Sequence, residues 1–179
     1  ENLLLQNAPI DSFGVGENMI TSKSNPVFGG VYKLVAIEEK GNIVPKIKIS
    51  DNIEKITNPH FKKIYRLFDK SNGKFITDIL AVYDEDEPKG DYVLVNPTQE
   101  WTKKNISNYE TKLLRVKMIE NGKQIYKFPS INETKLNVQK NLNTLWEEAL
   151  RLQNPHTYTI NLSNKLLNLK MELLNSYKK

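Results

Sequence analysis

Apolar and polar residues alternate in short runs through roughly the first two thirds of the chain and then fall at spacings of three and four, so the pattern predicts a strand-rich part followed by a helical tail. Residues 31–37 and 43–49 read as two strands joined by Glu38-Glu39-Lys40-Gly41-Asn42. Residues 63–68 and 74–83 form a second hairpin around Asp69-Lys70-Ser71-Asn72-Gly73, and residues 92–95 one further strand. Residues 113–119 and 123–128 pair through Glu120-Asn121-Gly122, where Asn-Gly favours a type I′ turn. Asp51 with Glu54 three residues on reads as a capping box opening a short helix that stops before Pro59. Ser130 and Glu133 form another box, followed by an apolar stripe of Val138, Leu142, Leu145, Ala149 and Leu152 in a helix that ends at Pro155. A last helix from Ser163 carries Leu162, Leu166, Leu169, Leu173 and Tyr177 on one side. Both stripes are expected to be core packing.

The start of the chain reads differently. Residues 1–6 look like the end of a helix whose beginning is missing, stopped before Pro9. Residues 10–13 look like a very short strand running into Gly14-Val15-Gly16. Helix, strand and glycine turn are pieces of an α/β unit, and one such unit cannot bury both faces alone, so a fragment or cropped domain is expected.

At 179 residues, with 39% hydrophobic and 26% charged residues, the chain can bury a core and is not of disordered composition. No apolar run approaches the roughly 18 residues that span a bilayer, and no signal-peptide pattern is present, so a membrane partner is not expected. The absence of cysteine removes disulfides and thiolate zinc sites and fits a cytoplasmic protein. A net charge of +5 invites a nucleic-acid reading, but only Arg66, Arg115 and Arg151 carry the guanidinium preferred for phosphate and guanine. The Lys-, Asn- and Ile-rich composition fits a general bias better than a selected basic surface. Nucleic acid is therefore not expected as a partner.

Candidate chemistry is sparse. Two glycines after a strand let backbone N–H groups converge on an anion, and a helix beginning over residues 18–22 would add its dipole; by itself GxG reads more readily as a plain tight turn. Lys33 shares a face with Val31, Val35 and Ile37 if strand alternation holds, where a lone ammonium calls for an anion or an escape to water. Lys48 lies on the face opposite Ile47 and Ile49, and Lys55 in the short helix after Asp51; both also read as solvated charges. Neither His60, in a loop after Pro59, nor His156 is expected to carry chemistry, and the acidic stretch 84–87 reads as a solvated loop rather than a divalent-ion site. No metal site and no catalytic group is expected in the chain.

The stretch IDSFGVGENMITSKSNPVFGGVYKLVAIE resembles the nicotinate phosphoribosyltransferase family almost continuously, as do IKISDNIEKITNPHFKKIYRLFD and LWEEALRLQNPHTYTINLSNKLLNLK, with a weaker middle over residues 83–112. The resemblance implies an enzyme joining nicotinate to phosphoribosyl pyrophosphate, yielding nicotinate mononucleotide and pyrophosphate, with ATP hydrolysis coupled through a phosphorylated histidine. It implies an α+β chain, the end segment of an α/β phosphoribosyltransferase barrel (residues 1–58) followed by antiparallel hairpins and two C-terminal helices (residues 59–179). It further implies that Gly14, Val15, Gly16 and Glu17 hold a 5′-phosphate by backbone amides. It places Lys33, Lys48 and Lys55 near the pyrophosphate and ATP phosphates, often across a dimer interface. The remainder of the enzyme chain and a second subunit are the implied partners, ATP the co-substrate, and Mg2+ the companion of phosphoribosyl pyrophosphate. The segments carrying the phosphorylated histidine and the pyridine-binding groups are absent, so the chain alone is expected to be inactive. Other readings are a non-catalytic assembly module, or a related nicotinamide or quinolinate phosphoribosyltransferase.

Overall fold

The computed structural model describes residues 2–21, 30–96, 99–158 and 160–177. The chain divides into two compact units, residues 1–33 and residues 34–179. In the first, two short helices, α1 (Asn2–Leu5) and α2 (Glu17–Ile20), flank an extended segment. The strand expected over residues 10–13 does not form. The Ile10 N–H closes back on the Ala8 carbonyl at 2.8 Å, turning the chain at Pro9 and leaving no ladder to extend. Glu1 and residues 22–29, which carry part of the expected helix and resemblance, lie outside the described residues.

The second unit is built on β3 (Lys62–Asp69) and β4 (Phe75–Val82), the long hairpin legible in the sequence. Its loop follows from turn chemistry: Asp69 Oδ1 accepts from the Ser71 N–H and hydroxyl, and Gly73 supplies a φ of +67°. Two further strands flank it, giving a four-stranded sheet in the order β10-β4-β3-β7, with β7 at Tyr109–Leu113 and β10 at Ile160–Leu162. β10 runs parallel to β4, a long-range pairing that no local pattern announced. One face of the sheet presents Tyr65, Leu67, Ile79 and Ala81, which are buried with Leu94 and Ile106 of a separate hairpin, β5 (Tyr92–Asn96) and β6 (Gln99–Ile106). Complete burial of a side chain such as Leu67 or Ile79 contributes about 1.5–3 kcal/mol. On the sheet's other face Arg66 donates twice to Asp78, both bonds 2.8 Å, and lies over the Phe75 ring.

The hairpin expected over residues 31–49 is shorter than its pattern: β1 is Ala36–Glu39 and β2 Asn42–Pro45, joined through Lys40 and Gly41, both at positive φ. Pro45 has no N–H to extend the ladder, and beyond it the Val35 carbonyl accepts from the N–H groups of Lys46 and His60. The Asn121-Gly122 turn forms with both residues at positive φ, but β8 (Ile119–Glu120) and β9 (Lys123–Gln124) are short, because the N–H groups of Ile125 and Tyr126 both return to the Met118 carbonyl.

The Ser130–Glu133 capping box is complete and opens α3 (Ile131–Thr144). The predicted single helix stops there. Lys74 Nζ donates to the carbonyls of Asn143 and Leu145, Trp146 Nε1 donates to the Phe75 carbonyl at 2.8 Å, and only α4 (Glu147–Leu150) follows. The apolar stripe of this region is not core, for α3 buries no residue and Val138 is 54% exposed. α5 (Asn164–Ser176) agrees better: Ser163 caps it, and Leu166 is fully buried with Leu162 and Val82.

Candidate functional site

The glycine turn of the first unit is exposed. Gly16 caps α2 in extended conformation, and its carbonyl accepts from the N–H groups of Met19 and Ile20 at 3.1 and 3.3 Å. The Glu17 carbonyl takes the Thr21 N–H and hydroxyl. Among the described residues none accepts from the N–H groups of Gly14, Val15, Gly16, Glu17 or Asn18. A Cβ added at Gly14 or Gly16 would meet nothing within 4 Å, and neither residue has positive φ. Within the described residues, then, neither packing nor backbone conformation demands glycine here. Lys33, in the same unit, lies in irregular chain rather than on an apolar strand face, and its Nζ donates to the adjacent Tyr32 carbonyl.

Lys48 and Lys55 belong to the second unit and to one loop between β2 and β3. The Lys48 N–H donates to Thr57 Oγ1 at 2.9 Å and the Thr57 N–H returns to the Lys48 carbonyl at 3.4 Å. Between them a 3₁₀ turn, Ile53–Lys55, forms the tip. The Ser50 hydroxyl accepts from the Asn52 N–H and the Asn52 carbonyl from the Lys55 N–H, so the turn opens at Asn52 rather than Asp51; the Glu54 side chain lies outside what is described. Both lysines are exposed, as a solvated charge or a ligand-facing ammonium requires.

The loop's base is held by groups the sequence did not mark. Pro59 is fully buried. Lys62 Nζ donates to the carbonyls of Asn58 at 2.8 Å and Pro59 at 3.3 Å, and also to that of His60. Lys170 Nζ, from α5, donates to Asn58 Oδ1 at 2.8 Å. Partial burial lowers both lysines from their ordinary values. Lys62 lies just before the strand expected over residues 63–68 and Lys170 at a polar position of a helix, so neither carries a signal visible without the fold.

His60 adopts φ +72° and stacks on Tyr83 at 5.7 Å, and the His156 N–H donates to the Glu148 carbonyl. The acidic stretch is not a simple solvated loop. Asp84 accepts twice from Lys165, at 2.8 and 2.7 Å, which holds its carboxyl below the usual range, and Glu85 is bonded to Ser163. No cluster of three or more metal-ligating side chains occurs among the described residues. A groove of about 340 Å³ lies beside α3, lined by Arg66, Val138, Leu142, Leu145 and Tyr158. No helix among the described residues is long and apolar enough to cross a membrane.

The family described as "Nicotinate phosphoribosyltransferase C-terminal domain" matches residues 61–170. The nicotinate phosphoribosyltransferase of Bacillus subtilis (strain 168) is 39% identical over 178 residues, covering 99% of this chain and 36% of the relative. That of Caenorhabditis elegans is 35% identical over 165 residues, covering 90% of this chain and 28% of the relative. The crystal structure of human nicotinic acid phosphoribosyltransferase is similar with a TM-score of 0.61 and 27% identity, over 66% of this chain and 24% of the human one. The chain thus spans about a third of the length of the curated relatives it matches.

Proposed function

The chain belongs to the nicotinate phosphoribosyltransferase C-terminal domain family, and from that membership we propose that it is the C-terminal part of an enzyme joining nicotinate to phosphoribosyl pyrophosphate. The products are nicotinate mononucleotide and pyrophosphate, made for NAD with ATP hydrolysed as co-substrate. The observation that carries this reading is the continuity of the likeness, which runs through 99% of the chain against the Bacillus relative. Each relative reported above is named for nicotinic acid or its anion, which favours nicotinate over nicotinamide or quinolinate.

In this reading residues 1–58 close an α/β barrel contributed mainly by the rest of the polypeptide. The donors of Gly14, Val15, Gly16 and Glu17 take the 5′-phosphate of the ribose, and the open space at both glycines lets that phosphate come close. Lys33, Lys48 and Lys55 supply mobile positive charge for the pyrophosphate and ATP phosphates. Mg2+ arrives on phosphoribosyl pyrophosphate. The enzyme works in the cytoplasm as a homodimer.

Substitution of Gly16 by valine in the complete enzyme tests the turn. The Cβ of the added side chain meets nothing within 4 Å among the described residues, so the fold should persist. The KM for phosphoribosyl pyrophosphate should rise on the order of tenfold or more, corresponding to loss of one or two charge-assisted hydrogen bonds. An unchanged KM would remove the turn from the site. The competing reading, an assembly module without a role in chemistry, draws on the exposed apolar residues of α3, and it predicts that same unchanged KM, with subunit association altered instead by Val138→Asp.

A further inference from the structure

Lys170 poses a question that stability does not answer. Its ammonium is half-buried and has no acidic partner among the described residues, its one bond being to Asn58 Oδ1. Burying an unpaired cation is costly, and an unbranched apolar side chain of similar length would fill the same space without desolvating a charge. The compensation lies in what Asn58 holds. From the opposite side Lys62, on β3, grips the Asn58 carbonyl and the two carbonyls that follow. Asn58 is thereby fixed from two separate elements. Its neighbour Thr57 makes both bonds that close the loop onto Lys48, and the intervening tip carries Lys55. The far side is anchored too, since Pro59 is fully buried and the His60 N–H donates to the Val35 carbonyl at 2.7 Å.

We infer that Lys170 is a positioning residue: from α5 it fixes Asn58, and through Thr57 it sets where Lys48 and Lys55 present their ammonium groups to substrate phosphates. The inference rests on the assignment of those two lysines to phosphate made above. Lysine side chains are long and entropically free, so an anion site built from them needs a rigid base if its charges are to converge. Lys170 and Lys62 supply that base without touching the ligand.

The test uses the complete enzyme and steady-state kinetics, with phosphoribosyl pyrophosphate and ATP varied separately. Lys170→Met should raise the KM for at least one phosphate substrate about tenfold while the nicotinate KM changes less than about twofold and the thermal midpoint is kept. Lys170→Arg, which retains a donor, should recover part of the loss. Asn58→Ala removes the acceptor instead of the donor and should reproduce the defect, adding nothing in combination with Lys170→Met. Lys170→Met added to the Lys48→Ala/Lys55→Ala double variant should make it no worse. Lys165→Met, on the same helix but paired with Asp84, should leave the kinetics unchanged. If Lys48→Ala and Lys55→Ala are both silent, the phosphate assignment itself fails. If either is impaired while Lys170→Met and Asn58→Ala are silent, the positioning role alone is overturned. A Lys170→Met loss that adds fully to that of the Lys48→Ala/Lys55→Ala double variant, or that merely follows a lowered thermal midpoint, also overturns it.

Discussion

The Glu85 carboxylate accepts from the Ser163 hydroxyl at 2.7 Å, while Ser163 Oγ accepts from the Leu166 N–H at 3.1 Å as the cap of α5. The same carboxylate oxygen takes the Val82 N–H, and the Glu85 carbonyl takes Lys63 Nζ and the Tyr65 hydroxyl. One acidic loop residue thus ties the end of β4, the inner strand β3 and the first turn of α5.

Glu85→Ala should therefore destabilise the chain by about 1–3 kcal/mol, the cost of leaving partly buried donors without an acceptor. Ser163→Ala should cost about 1 kcal/mol as a lost cap. Because the two share a hydrogen bond, the double variant should fall short of the sum, which urea denaturation of all three will read. Full additivity would separate the cap from the loop.

Tyr109 is a buried aromatic whose hydroxyl has no partner among the described residues. Tyr109→Phe keeps the ring against Leu94 and Ile106 and removes the unpaired group, so stability should be unchanged or rise by up to about 1 kcal/mol. Burial also pushes this hydroxyl up, so in the unfolded chain tyrosine ionises first and the native protein loses stability as pH rises above about 10. The phenylalanine variant should lose less there. Denaturant midpoints at neutral and alkaline pH decide both points, and a large loss at neutral pH would mean the hydroxyl is bonded after all.

Acid should unfold the chain through particular carboxylates. Hydrogen bonds from the Ser71 side chain and backbone lower Asp69, those from the Ser130 backbone and hydroxyl lower Glu133, and the Lys165 ammonium lowers Asp84. A carboxylate lowered in the native state contributes stability that is complete above its unfolded value, about 4, and is lost as pH falls through the native value. Asp69→Asn and Glu133→Gln keep an acceptor but cannot titrate. Together they should flatten the decline of the urea midpoint below about pH 4, and a decline of unchanged steepness would place the acid sensitivity elsewhere.

Much of this protein was settled locally. The Asp69–Gly73 loop, the Asn121-Gly122 turn, the Ser130 box and the α5 stripe each depend on residues within a few positions of one another, and alternation in residues 63–68 and 74–83 defines the central hairpin. The continuous likeness of the sequence also carried the family. Other features needed distant partners. Residues 10–13 and 31–35 have the composition of strands but no ladder to join, so Lys33 lost the face that alternation had given it. α3 ends where Lys74 and Trp146 reach Phe75 and the last carbonyls, contacts made 71 residues apart in the cases of Leu145 and Trp146. The base beneath Lys48 and Lys55 joins Asn58 to Lys170 across 112 residues. A sequence by itself determines what each short segment prefers, because caps, turns and alternation act between neighbours. Which preferences survive, and which lysine becomes a support rather than a solvated charge, is decided by the tertiary structure, because only folding supplies the remote acceptor that a buried donor requires.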